Sequence, residues 1–149
     1  MKIIVVSGAC SGVGKSTLAR GISNLIPDAL TVKIGHHEEN IQKEIKLFPM
    51  GTSIDTVRQF AGNVPYLIIE SNSILIEIIP ECVIYLTGES SKPSASLALT
   101  KADIIRGEYI DTPKINELAL RLSLDISVVR KIAMMAGAKV GAVCEMIPA

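Results

Sequence analysis

Lys15, Ser16, Glu70 and the pair His36-His37 are the residues of this chain whose types and settings could do chemistry. The first two belong to Ser7-Gly8-Ala9-Cys10-Ser11-Gly12-Val13-Gly14-Lys15-Ser16-Thr17, a run of small residues ending in a cation and two hydroxyls. A triphosphate needs many donors at short range. Main-chain N–H groups converge on it only where side chains stay out of the way. Gly8, Ala9, Gly12 and Gly14 meet that need, and Cys10, Ser11 and Val13 complete the loop. Lys15 would bring a flexible point charge to the outer phosphates. The Ser16 hydroxyl would ligate Mg²⁺, with Thr17 beside it near the inner phosphates. The spacing is Gly-x-x-x-x-Gly-Lys-[Ser/Thr], with Ala9 where the first Gly is usual. The bland alternative is a glycine-rich turn that merely precedes a helix. The flanking elements argue against it. Ile3-Ile4-Val5-Val6 reads as a short buried strand, and Leu18, Ile22 and Leu25 keep helical spacing behind the loop.

Phosphoryl chemistry needs a second acid to hold or position the metal, and the end of a neighbouring apolar strand is its usual source. Tyr66-Leu67-Ile68-Ile69-Glu70 is such a strand, followed by Ser71-Asn72-Ser73. Glu70 is therefore the expected metal ligand and catalytic carboxylate, acting with Lys15. In an open parallel sheet the ligand lies beyond the carboxyl ends of the strands. The loop, Glu70 and His36-His37 are all strand ends in this reading. Asp55 and Asp103 read as helix-surface or loop acids. His36-His37, followed by Glu38-Glu39, would face a phosphate or a second ligand. Adjacent residues on a strand point to opposite faces, so the two make poor joint metal ligands, and an exposed polar loop is the bland reading.

Several elements must position these groups. Leu30–Ile34 reads as a second strand; Ile41, Ile45 and Phe48 keep helical spacing up to Pro49-Met50-Gly51. Thr52 or Ser53 would cap a helix carrying Ile54, Val57 and Ala61 inward, with Gly62 as its stop. The run Ile74–Ile79, interrupted by Glu77, fits a buried helical turn or a strand. Cys82–Leu86 is a fourth strand, Ala95–Ala102 a short helix and Asp103–Ile105 a fifth strand. Thr112-Pro113 opens a helix with Ile115, Leu118, Ala119 and Leu122 inward. A last helix, about Asp125 to Ala136, turns Ile126, Val129, Ile132, Ala133 and Ala136 to one face, and Gly137 ends it. Met134-Met135 reads as core or as an adaptable contact face. Alternating strands and helices predict one α/β domain, a three-layer sandwich on a mostly parallel sheet; with the Gly8–Thr17 loop between its first strand and helix, the expected fold is that of the P-loop NTPases.

Composition narrows the partners. The chain has 149 residues, 48% of them hydrophobic and 20% charged, with zero formal net charge. That balance offers no basic surface for nucleic acid or an acidic membrane. Two Phe, three Tyr and no Trp make no base-stacking platform. No apolar run spans a bilayer. No signal peptide is expected, and Cys10, Cys82 and Cys144, without a Cys-x-x-Cys pair, fit a reducing cytoplasm.

With these residues in view, a resemblance emerges. Gly35-His36-His37-Glu38, after a Lys-containing strand, resembles the His-His-acid segment of MobB-type proteins of molybdopterin guanine dinucleotide synthesis. In those a His commonly follows the Lys, where this chain has Ile34. Leu67–Ser73 is similar to the strand-Glu segment shared by MobB and the nickel-insertion GTPases, without their following Gly. Lys101-Ala102-Asp103-Ile104-Ile105 also resembles the nickel-insertion proteins, in which an Asn-Lys-x-Asp guanine motif follows. The matching Glu108-Tyr109-Ile110-Asp111 retains only Asp111, which the resemblance implies as a nucleotide-binding residue. Thr100-Lys101-Ala102-Asp103 is a rival base motif. The likeness covers roughly residues 2–111. It implies a Mg²⁺-dependent protein that binds GTP or ATP, with docking to a molybdenum-cofactor nucleotidyltransferase and a possible homodimer. Hydrolysis is expected to be weak, because the sequence sets no arginine beside the loop: Arg20 lies on the first helix and Arg58 on another. The loop also resembles that of guanylate kinase, which keeps a nucleoside monophosphate or small-molecule kinase open. A non-catalytic nucleotide-gated module is the third reading.

Overall fold

The computed structural model describes residues 1–10, 12–35, 45–89 and 93–141. The elements follow in the order β1 (Lys2–Gly8), α1 (Lys15–Leu25), β2 (Ala29–Ile34), β3 (Lys46–Phe48), α2 (Ile54–Ala61) and β4 (Tyr66–Glu70). After a 3₁₀ turn at Ser73–Ile76 come β5 (Cys82–Leu86), α3 (Ala95–Lys101), β6 (Ile104–Ile105) and β7 (Tyr109–Ile110). The last elements are α4 (Thr112–Leu122), α5 (Ile126–Met135) and β8 (Lys139–Val140). Six strands form one parallel sheet in the order β3-β2-β4-β1-β5-β6, so β1 lies at its centre. β7 and β8 make a separate two-stranded ribbon.

The apolar strands are buried on both faces, as a parallel sheet covered by helices requires. Alternation along each strand sorts the core into two clusters. Ile4, Val6, Ile68 and Ile84 lie with Leu18 and Ile22 of α1 and the inward faces of α4 and α5. Ile3, Val5, Val32, Leu67 and Ile69 lie with Ile54 and Val57 of α2 and Ala95 and Ala98 of α3. This is an α/β sandwich of three layers. Among the described residues no helix is long and apolar enough to cross a membrane.

Several local expectations change. Phe48 lies on β3, paired through Ile34, and is not on a helix; Ile41 lies outside the described residues. A three-residue edge strand gives too little length for its period to show against a helical one. Ser53, not Thr52, caps α2, its hydroxyl accepting from the Thr56 N–H. The Ile74 run begins in the 3₁₀ turn, and the Glu77 that interrupts it accepts the Ile54 N–H at 2.9 Å, at the start of α2. That carboxylate serves one of the orphan donors at a helix start. Ile126, expected inward, is 45% exposed in the first turn of α5, and Met134 and Met135 are surface residues rather than core. Asp103 precedes β6 rather than belonging to it.

Candidate functional site

Alternation decides which side chains meet the start of α1. On β4, Ile68 belongs to the α1 side of the sheet and Ile69 to the other, so Glu70 returns to the α1 side. On β2, Val32 and Ile34 face away, which turns Lys33 toward α1. Lys33 and Glu70 are also register partners on adjacent parallel strands. The two side chains therefore meet by geometry: Lys33 Nζ is 3.5 Å from Glu70 Oε1, and their side chains are only 7% and 2% exposed. The other carboxylate oxygen, Oε2, accepts the Ser16 hydroxyl proton at 2.8 Å. One buried acid thus joins β2, β4 and the first turn of α1.

The loop between β1 and α1 is shaped by its glycines. Gly14 stands at the head of α1 with φ 101°, a left-handed conformation that favours glycine. A Cβ on Gly8 would lie 2.7 Å from Val13 Cγ2 and against the Lys15 chain, so the loop closes only over a bare Cα there. Asn72 holds the loop's entry. Its Oδ1 accepts the Gly8 N–H and its Nδ2 donates to the Gly8 carbonyl, both at 2.9 Å. Lys15 donates to the Cys10 carbonyl at 3.1 Å. Gly12, Gly14, Lys15, Ser16, Thr17, Lys33 and Glu70 line one cavity of about 270 Å³.

Two lysines, two hydroxyls and a carboxylate around one cavity suit a polyanion with a hard cation. The fit to Mg²⁺ rests on the donors: an alcohol and a carboxylate oxygen already in contact, with room for the remaining ligands to come from phosphate and water. Among the described residues no three His, Cys, Asp or Glu cluster as a cage that would hold a metal without such help.

The expected site residues fall into three groups. Ala9, Cys10, Gly12, Val13, Gly14, Lys15, Ser16 and Thr17 form the loop and helix start, and Glu70 joins them. Ser11, His36 and His37, with Glu38 and Glu39, lie outside the described residues. Asp111 lines neither this cavity nor the larger one on the other side of α1. It caps α4, its Oδ1 accepting the Lys114 N–H at 2.9 Å. The rival motif is engaged elsewhere. Lys101 donates to the Leu75 carbonyl, and Asp103 accepts from the Val83 N–H near the start of β5 while pairing with Lys114 and Arg121. That is the opposite end of β5 from the loop.

Three residues of the site escaped the sequence reading. Lys33 had a signal: a lysine inside an apolar strand is rarely buried without a partner. Asn72 had only its place after a strand end. Arg106 corrects the expectation that no arginine lies beside the loop. Its guanidinium donates through Nη2 to the Val13 carbonyl and through Nη1 to the Thr87 carbonyl at 3.1 Å. It reaches the loop from the end of β6, too far along the chain for any local pattern to reveal.

No family model matches the chain, and no curated protein sequence matches it.

Proposed function

We propose that the protein is a Mg²⁺-dependent nucleotide-binding protein of the P-loop NTPase fold, taking GTP or ATP and hydrolysing it slowly. The observation that carries this reading is the Ser16–Glu70–Lys33 cluster, which lines one cavity with Lys15 and the glycine loop. Lys15 turns from the Cys10 carbonyl to the outer phosphates. The main-chain N–H groups of the loop and of the first turn of α1 bind the remaining phosphate oxygens. Ser16 and Glu70 would hold Mg²⁺, which neutralises phosphate charge when bound. Lys33 adds a second cation at the same cavity, and Asn72 keeps the loop's entry fixed through Gly8. Slow turnover follows from the charge inventory: both cations lining the cavity are lysines, and Arg106 is directed to main-chain carbonyls. A partner would supply the missing transition-state charge.

The resemblance to MobB supports a role as an accessory factor in molybdenum-cofactor assembly, docking to a nucleotidyltransferase in the cytoplasm, with His36 or His37 toward a second ligand. Calorimetric titration with Mg·GTP and Mg·ATP tests the core of the reading. Binding of at least one nucleotide, lost in Lys15→Ala, is expected. Absence of binding to either overturns it.

A further inference from the structure

Val13 is held from three sides. Its isopropyl group sits between two glycines: a Cβ on Gly8 would lie 2.7 Å from Val13 Cγ2, and one on Gly88 would lie 2.9 Å from Val13 Cγ1. Gly88 lies just past β5, so the loop closes on β1 and on the chain leaving β5 at the same residue. The third hold is on the main chain. Arg106 donates through Nη2 to the Val13 carbonyl and through Nη1 to the Thr87 carbonyl at 3.1 Å. One guanidinium thus ties the phosphate loop to the residue before Gly88. The arginine is itself braced. Its main-chain N–H donates to the Tyr85 carbonyl at 3.0 Å. A Cβ on Gly137 would lie 3.0 Å from Arg106 Cγ, so the side-chain stem rests on a bare Cα. A planar fork with donors at fixed angles suits two carbonyls at once, whereas an ammonium is a point charge.

We propose that Arg106 is a positioning residue for phosphate binding: by holding the Val13 carbonyl it aims the Gly14 N–H at the phosphates. The inference rests on the nucleotide reading given above. The C=O and N–H of a trans peptide lie in one plane and point in opposite directions. The Val13–Gly14 bond is trans. Arg106 lines the larger cavity, on the α5 side of α1, and Gly14 lines both that one and the phosphate cavity. With its oxygen drawn to Arg106, this peptide turns its N–H to the phosphate side. Gly14, at φ 101°, does not fix the plane by itself, because a glycine lets the adjoining peptide rotate easily. The hold on Val13 removes that freedom before the ligand arrives. A donor already in place binds without the cost of ordering it. The effect falls on the phosphates and is blind to the base.

Calorimetric titration of the wild type, Arg106→Ala and Arg106→Lys with Mg·GTP, Mg·ATP and Mg·tripolyphosphate tests the proposal, together with amide NMR spectra of protein labelled with ¹⁵N-glycine. In the wild type all three ligands are expected to bind and to move the Gly14 amide proton downfield as it donates to a phosphate oxygen. Arg106→Ala is expected to weaken all three by the same factor, at least about tenfold, the scale of one hydrogen bond to a charged group. Its Gly14 signal is expected to lose most of the downfield shift, while Gly51 and Gly62, which flank α2, keep their positions and report an intact fold. A purely structural role would lower stability and leave the Gly14 shift on binding intact, which overturns the assignment. Arg106→Lys keeps the charge and the stem over Gly137, and its affinity is expected to recover only as far as its Gly14 shift does. Recovered affinity without the shift overturns the assignment, since charge alone would then act. So does a loss confined to the two nucleotides, which would mean that the guanidinium meets the nucleoside, or wild-type affinity for all three ligands in Arg106→Ala. Failure of all three ligands to bind the wild type overturns the nucleotide reading and the assignment with it.

Discussion

Replacing Lys33 and Glu70 by methionine, singly and together, tests whether the site is built around a buried ion pair. The two groups are 3.5 Å apart and almost wholly excluded from water. Removing one partner of a buried pair leaves the other charge desolvated, at a cost of roughly 3–5 kcal/mol. Glu70→Met also strips the Ser16 hydroxyl of its acceptor, worth about 1 kcal/mol more. A domain of this size loses about 2–4 °C of melting temperature per kcal/mol, so each single variant should melt roughly 10 °C lower. The double variant replaces the pair by two apolar side chains of similar length. Such replacements are often neutral or stabilising. The double variant should therefore be more stable than either single one, with a coupling energy of about 3 kcal/mol. Urea unfolding followed by circular dichroism, in nucleotide-free buffer, measures all four proteins. Additivity of the two singles within about 0.5 kcal/mol would refute the reasoning, since it would mean that the charges are solvated and independent.

Asn72→Ala should cost about 1–3 kcal/mol, because it strips partners from both main-chain groups of Gly8; Asn72→Asp should weaken nucleotide binding further by setting a carboxylate against the Gly8 carbonyl, and parallel calorimetry and melting separate the two effects. Burial pushes the Cys82 thiol well above its ordinary range, whereas Cys10 is half-exposed in the loop. In a Cys144→Ser background, iodoacetamide should therefore modify Cys10 alone in the folded protein, Mg·nucleotide should slow that reaction, and mass spectrometry of the peptides reads both. The Asp125 carboxyl is held below its usual range by the Ser127 hydroxyl and then by the Ser127 N–H at the start of α5. A lowered folded value means that its contribution is complete above about pH 4 and is lost as pH falls through the folded value. Asp125→Asn should accordingly flatten the acid side of a stability-against-pH curve.

The loop and Glu70 were legible because local pattern determines them: an apolar strand, small residues at fixed spacing, then a helix. Lys33 was half legible. Its alternation with Val32 and Ile34 points it to the α1 face, but only the register of β2 on β4 shows which acid it meets. Arg106 was illegible, since its contact with Val13 depends on β6 lying beside β5 and on the turn that follows. Asp111 is a different case: the resemblance implies it as a nucleotide-binding residue, and in the structure it caps α4 just before Thr112-Pro113. The ribbon of β7 and β8 went unseen because two-residue strands leave no period to read.

The central position of β1 also bears on the order in which the molecule is made. β1 pairs with β4 and β5, Lys2 with Tyr66 and Ile4 with Cys82, and with neither strand that follows it directly. A chain emerging from the ribosome therefore carries this apolar central strand and its glycine loop unpartnered until most of the sheet has been synthesised. β2 and β3, adjacent in sequence and in the sheet, are able to associate far earlier. Long-range parallel pairing of this kind slows folding and leaves sticky intermediates. Under the proposed function nucleotide would act on the finished site alone, because Ser16 and Glu70 come together only once β4 has docked.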